Sequence, residues 1–359
     1  MQIQNNKLSF KGQNIYAGID AHLKSWTVTI QVEDRVHKTF SQSPEPKVLV
    51  DYLRRHFPEG NYFSAYEASF CGFRAHYELN EMGVKNIVVN PADIPTTDKE
   101  KKQKEDPRDS RKIARGLKSN ELVPIYVMIG SSLEDRKLLR IRKTLVKELT
   151  RVKNRIKSDL NFFGIKIKPE FEKRGTHWSK RFMKWLEEVK FETESGNFSF
   201  SIQIRQAQHL REELLQINRE IKKLAQTGKY KENVDLLMST PGIGLLSAMI
   251  ILTEIEDIDR FPNLDNLCSY IGITPTTRST GENDKVGQIT PRSNCYLRNT
   301  IIESSWVASR IDPALLCCYN QYLQKMEKNK AIIKIARKLV NRIRFVLKNK
   351  TKYVYSLVK

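Results

Sequence analysis

Seven apolar residues, Ile141, Leu145, Leu149, Val152, Ile156, Leu160 and Phe163, recur in steps of four and three along a single stretch. A strand alternates faces and cannot keep such a set on one side, whereas a helix of 3.6 residues per turn does. The stretch 133–163 is therefore expected as one long helix, and its stripe needs a partner to cover it. Leu210, Leu214, Ile217, Ile221 and Leu224 provide one, with alternating steps of four and three, the spacing of a coiled-coil seam. An antiparallel helical arm over 130–230 follows, with a tip or insertion at 166–200 that holds Trp178, Trp185, Gly175 and Gly196. Such an arm divides the chain into a part before it, 1–129, and a part after it, 231–359.

The two flanking parts read differently. From 14 to 128 the pattern alternates between strands and helices. Strand-like runs lie at 14–20, 26–32, 37–41, 62–67, 86–90 and 122–127, with helical patterns at 46–56 and 72–82. A meander followed by βα units predicts an α/β domain with a mixed sheet. From 233 to the end the chain is expected to be helical, with a break at Pro241-Gly242, a restart after Gly244, and late helices near 294–309 and 331–348. Phe261, Tyr270, Trp306 and Tyr319 read as core residues there.

Charge narrows the function classes. Among 359 residues, Lys and Arg total 62 against 41 Asp and Glu, a formal +21. A surplus of that size argues against a small-molecule metabolic role and for a polyanionic partner, nucleic acid above all; a basic ribosomal or membrane-surface protein is the competing explanation. The first arm helix carries Arg140, Arg142, Lys143, Lys147, Arg151, Lys153, Arg155 and Lys157 off its stripe. That face is either a track for phosphates or a solvated helix surface. Five cysteines, none at zinc-clip spacing, fit reduced thiols in a cytoplasmic compartment. No apolar h-region opens the chain, and the run near 248–252 is too short to span a bilayer, so no membrane partner is expected.

Chemistry enters with the carboxylates of the first part. Asp20 closes the strand pattern of Ile15, Ala17 and Ile19, and Glu67 closes that of "NYFSAYE". In "KEDPRDSRKIARGL", Asp106 and Asp109 stand one turn apart at the head of a helix. A turn explains Asp20 alone, a surface position Glu67 alone, and a helix cap either of the others. Together they mean more. Strand ends of an α/β sheet gather at one edge, where sites form. Carboxylates converging there repel one another unless a divalent cation sits among them. Oxygen ligands without His or Cys select Mg²⁺ or Mn²⁺. A pair of such ions about 3.5–4 Å apart is a standard device for phosphodiester chemistry.

"YAGIDAHLKSW", "YEAS" and "KEDPRDSRKIA" resemble the RuvC-like, ribonuclease-H-fold domain of the insertion-sequence-110 transposases, the bridge recombinases. The segment from "LLMSTPGIGLLSAMIILTEI" to "PRSNCYLRNTIIESSW" is similar to that family's C-terminal transposase domain. The resemblance covers both ends of the chain and reaches the arm mainly by position. It implies a RuvC-like domain at 1–129, the arm at 130–230 and a helical transposase domain at 231–359. It places the family's metal-binding acids on Asp20, Glu67, Asp106 and Asp109, and its nucleophilic serine on Ser279 of "STG". Two departures stand out. The family's Lys-Thr-Asp is Lys104-Glu105-Asp106 here, which makes Glu105 a competing ligand, and its Lys-x-Gly-Asn is Pro291-Arg292-Ser293-Asn294.

The implied reaction is attack by Ser279 on a DNA phosphate, with Arg278, Arg292 and Arg298 as candidates to hold phosphate oxygens and Asn294 beside them. By itself, a serine in a polar, Gly-containing loop is a turn former, and each arginine is an ordinary surface charge. Gly242 and Gly244 allow a helix-hairpin-helix grip on a phosphate backbone, or else a tight helix–helix corner. The family further implies donor and target DNA as substrates, a guide RNA carried by the element, and a dimer or tetramer in which one subunit's acids serve another's serine, in a bacterial cytoplasm. Two other functions remain open: a Holliday-junction resolvase using the acids and water without serine chemistry, and a non-catalytic nucleic-acid-binding protein.

Overall fold

A computed structural model describes residues 9–95, 106–171, 177–280, 283–290 and 293–355. The chain forms two compact units, one ending at Met128 and the other starting at Ile129.

The first unit is built on a five-stranded sheet of order β3-β2-β1-β4-β5. Its strands are β1 (Asn14–Ala21), β2 (Trp26–Val32), β3 (Arg35–Gln42), β4 (Asn61–Glu67) and β5 (Lys85–Val89). The first three form an antiparallel meander, while β4 lies parallel to β1 and β5 parallel to β4. The sheet is therefore mixed, as the alternation of patterns predicts. Helices α1 (Pro46–His56) and α2 (Arg74–Glu81) supply the crossovers, and α3 (Asp106–Lys118) follows the sheet. The stretch 122–127, expected as a sixth strand, makes only an isolated bridge between Val89 and Pro124. Proline has no N–H to donate to a ladder, which stops the pairing there.

Alternation along β1 sorts its residues between two cores. Ile15, Ala17 and Ile19 pack with Leu49, Leu53 and Leu79 of α1 and α2. Gly18 and Asp20 point to the other face, where α3 crosses. A Cβ on Gly18 would lie 2.1 Å from the Ser110 carbonyl oxygen and 2.3 Å from the Ala114 amide nitrogen. Both obstacles are backbone, so only glycine lets α3 lie this close to β1. Its small neighbours, Ala65 and Ala114, are fully buried, and the Thr29 and Ser110 hydroxyls hydrogen-bond at 2.8 Å beneath the helix.

The second unit begins with α4 (Gly130–Phe162) and continues through α5 (Lys180–Glu188) and α6 (Glu194–Ala225). Helices α4 and α6 run antiparallel: Asp159 meets Gln203 at one end and Arg142 meets Asn218 toward the other. Leu149, Val152, Ile156 and Leu160 of the predicted stripe are buried against Phe200, Ile204 and Leu210, with Trp185 and Phe182 of α5 covering the end. The remaining elements are α7 (Lys231–Met238), α8 (Leu245–Ile255), α9 (Leu264–Ile271), β6 (Pro275–Thr280), β7 (Asn283–Ile289), α10 (Cys295–Ile311), α11 (Pro313–Leu323) and α12 (Lys328–Asn349). Phe261 joins their shared core, and Tyr270, Trp306 and Tyr319 pack against it.

This part was expected to be helical throughout, and β6 and β7 correct that. They pair antiparallel as a separate two-stranded sheet. The threonines and valine of "PTTRST" and "NDKVGQI" favour a pleated backbone over a helical one. No described helix is long and apolar enough to cross a membrane.

Candidate metal centre and its surroundings

The parallel pairing of β1 and β4 sets the first two acids. Ile19 lies opposite Tyr66 in the register, so Asp20 and Glu67 occupy the next positions on neighbouring strands at one sheet edge. Helix α3 adds the other two. Asp106 and Asp109 sit in its first turn, where unpaired amide donors favour carboxylates. The close approach at Gly18 brings that turn down toward the strand ends.

Two basic side chains tie the acids together. His22 lies just beyond β1, with Nε2 3.4 Å from an Asp20 oxygen and 4.0 Å from an Asp106 oxygen. Ligand atoms of Asp20, His22 and Asp106 all fall within 4.8 Å of one another. Lys112, one turn after Asp109 on α3, donates from Nζ to Asp109 at 3.0 Å and stands 3.9 Å from a Glu67 oxygen. Its side chain is only 11% exposed, so both contacts are sheltered from water.

Asp20 feels this crowding. Burial pushes its carboxyl above the ordinary carboxylate value, and the charges of Asp106 and Asp109 push the same way, with His22 pulling back. An acid held in partial burial among other acids is a centre of unneutralised negative charge, and that is what a divalent cation corrects. The donor set of Asp20, Asp106 and His22 fits such an ion. It differs from the oxygen-only set expected from the acids, because the imidazole nitrogen stands among them. Glu105, the expected competitor of Asp106, lies outside the described residues.

His22 and Lys112 were not visible as members of the site. His22 is two residues past Asp20 and so returns to the same face of an extended chain. Lys112 is three past Asp109, one helical turn. Each spacing was present in the sequence, but neither residue type belonged to the expected chemistry.

The candidate residues of the second unit have varied surroundings. Gly242, at φ +80°, approaches α10 so closely that a Cβ would lie 2.2 Å from the Ser304 carbonyl oxygen. Gly244 caps α8, exposed, with nothing within 4 Å of a Cβ position. Asn294 caps α10 by accepting from the Leu297 amide at 3.1 Å, and donates to buried Glu254 at 2.7 Å. Arg298 donates to the Thr290 carbonyl at 3.1 Å. Arg278 and Ser279 belong to strand β6, where Ser279 pairs with Asp284; their side chains, and all of Arg292, lie outside what the structure describes.

Comparison with known proteins places both parts of the chain in one family. Residues 17–164, which contain all four acids, match a family model for DEDD-type IS110 transposases described as "Transposase". Residues 234–320 match the model described as "Transposase IS116/IS110/IS902 family". The y4qE protein of Sinorhizobium fredii is 27% identical over 244 residues, which are 68% of this chain and 58% of that one. The transposase for insertion sequence element IS1533 of Leptospira borgpetersenii is 25% identical over 259 residues, 70% of this chain and 72% of its own. The transposase for insertion sequence element IS1111A of Coxiella burnetii is 25% identical over 242 residues, covering 66% and 63%. The chain thus spans less than two thirds of the length of two of these three relatives. Two family models match in the same order in which the acid-bearing sheet and the later helices follow one another, and the three relatives align over 66–70% of the chain. The chain belongs to the IS110 family of transposases.

Proposed function

We propose that the chain is the transposase of a bacterial insertion sequence, which cuts and rejoins DNA with divalent metal and a serine nucleophile. The observation that carries this reading is the convergence of Asp20, Asp106 and His22 within 4.8 Å, with Glu67 and Asp109 joined through Lys112. A chain of net charge +21 that served only to hold phosphates would gain nothing from concentrating acids at one edge.

Asp20, Glu67, Asp106 and Asp109 would hold Mg²⁺ or Mn²⁺, with His22 as a nitrogen donor. When bound, the metal neutralises phosphate charge and eases deprotonation of the attacking group. Lys112 fixes Glu67 and Asp109, and so keeps their oxygens from turning away while the site is used. Ser279 Oγ attacks the phosphorus and forms a phosphoserine ester, while the bond to one deoxyribose oxygen breaks and that oxygen leaves with a proton. The ester conserves the bond, and a strand hydroxyl attacking it in the reverse sense rejoins the DNA. Gly244 offers backbone amides to a phosphate at the start of α8, as one end of a helix-hairpin-helix grip. Guidance by a noncoding RNA of the element and assembly as a dimer or tetramer complete the reading on the support of the family alone. A coiled-coil arm is supported by the seam spacing and the antiparallel packing of α4 on α6.

The test is a labelled DNA carrying the element's junction, incubated with the full chain and Mg²⁺, and run on a denaturing gel. The wild type forms a covalent protein–DNA adduct, and Ser279→Ala forms none. Cutting by Ser279→Ala at the wild-type rate would assign water as the nucleophile and leave a resolvase. Unchanged activity in Asp20→Asn would remove the metal chemistry altogether.

A further inference from the structure

We infer that the second unit carries a phosphodiester-binding groove along α4, with Lys143 and Lys147 as the side chains that hold the nucleic-acid backbone. It rests on the reading that this chain acts on nucleic acid, and it concerns a place distinct from the acid cluster.

Cations outnumber acids along this face of α4. Glu254 on α8 is fully buried, and both its oxygens are taken: Arg140 donates from Nε and Nη2 at 2.8 Å each, and Asn294 donates at 2.7 Å. Arg136, Arg140, Lys143 and Lys147 succeed one another on one face of α4, and the Glu254 charge acts on the first three of them. Arg136 is half-buried, and burial together with Arg140 lowers its pKa. Lys143 is lowered too, by burial first and then by the charge of Lys147. Among the described residues, neither lysine has a carboxylate partner. Arg142 and one further carboxylate, Glu303, line the same surface, so five cations stand against two acids and the surface is net positive.

Shape then selects the anion. Arg140, Lys143, Lys147, Tyr270, Asn294 and Tyr296 line an open cavity of about 430 Å³ at the start of α10. A second cavity of about 460 Å³ shares Lys143, Lys147 and Tyr296, and continues past Val146 and Val307 to Gly242. Two cavities joined through the same pair of lysines form a groove and not a pit. A small polyanion would fill one of them; a polymer with phosphates at regular intervals follows both. Lys143 lies over the Tyr296 ring, 4.3 Å from its centre, which steers its ammonium along the groove wall. Phosphate contacts of this kind position a strand without reading its sequence.

Fluorescence anisotropy with the full chain tests the groove in EDTA, so that no metal chemistry contributes. The probes are a short labelled DNA duplex and an RNA of the same sequence, each titrated across a salt series. Lys143→Ala/Lys147→Ala should bind about tenfold more weakly, with the salt slope shallower by about two, one for each phosphate no longer neutralised. Lys222→Ala, on exposed α6 surface, should change neither. Lys147→Glu alone keeps Lys143 over the Tyr296 ring and should weaken binding in the same sense, which separates a charge effect from a failure to fold. A loss confined to DNA or to RNA identifies the strand that lies there. Wild-type affinity and slope on both probes in the double variant overturn the groove and leave the transposase reading standing. No binding of either probe by the wild type overturns both.

Discussion

The two units each gather one sign of charge, and they do so by opposite means. In the first, two groups of acids, Asp20 with Asp106 at His22 and Glu67 with Asp109 at Lys112, are placed by backbone: a parallel strand register, and a helix that lies on Gly18 with no side chain between. In the second, four cations sit along one helix face, and one of them, Arg140, is held by a buried side chain, Glu254. Backbone placement sets where these side chains start, and contacts such as those of Lys112 hold their oxygens, the preorganisation that a metal centre requires. A flexible row of lysines suits a polymer whose phosphates must slide and settle. On the proposed reading, the difference is that between a centre for chemistry and a surface for holding.

Breaking the acid cluster should have the largest effect. Asp20→Asn removes a ligand outright, and loss of outer-shell partners alone costs about 10–100-fold in metal affinity or activity. Adduct formation should therefore fall by more than about a hundredfold on the denaturing gel, while duplex DNA binding in EDTA stays at wild-type strength.

Glu254→Ala tests the other half of the comparison. It removes the buried partner of Arg140, whose own side chain is 47% exposed and can turn to water, so the loss should fall below the about 3–5 kcal/mol of a fully buried pair. Chemical denaturation should show that loss. Lys143→Ala/Lys147→Ala, by comparison, should cost less than about 1 kcal/mol, since neither lysine has an ion-pair partner among the described residues.

Gly18→Ala sharpens the claim that backbone packing sets the acids. The added methyl must displace the backbone of α3, and overpacking of this kind costs about 1–3 kcal/mol. The upper end is expected, because both Ser110 and Ala114 block with main-chain atoms. Unlike a surface change, it should lower stability and metal binding together.

Much of this was legible in the sequence. The strand bounds of β2 and the helix bounds of α1 were read in full, because Trp26, Val28 and Ile30 alternate and Pro46 marks a helix start. The sheet edge with Asp20 and Glu67 followed from where two strand patterns end. The long helices followed from their stripes. What was not legible arises from contacts distant in sequence. Gly18 reads as an ordinary strand glycine until α3 is placed on it. Glu254 reads as the polar interruption of an apolar helix, and its role depends on Arg140, 114 positions away. The intramolecular partners of Asn294 and Arg298, a helix-cap amide and the Thr290 carbonyl, likewise could not be read from the sequence. Strands β6 and β7 were missed because a short polar hairpin has no apolar face to give a period.

The smallest effect concerns pH. The folded chain holds the Asp20 proton more tightly than the unfolded chain does, since burial raises its pKa from 3.8. Ionised Asp20 therefore opposes folding above its raised pKa, and the opposition vanishes as pH falls below 3.8. In EDTA at neutral pH, Asp20→Asn should melt slightly higher than the wild type, and the gap should close on acidification. Mg²⁺ should raise the wild-type melting temperature and leave the variant where it was.

Direct titration of Mn²⁺ into the full chain, followed by electron paramagnetic resonance of the free ion, bears most closely on the acid cluster. The wild type should take up Mn²⁺, with Asp20→Asn weaker by more than about a hundredfold and His22→Ala intermediate. Equal uptake by the wild type and Asp20→Asn, or none by either, would contradict a metal centre at this sheet edge.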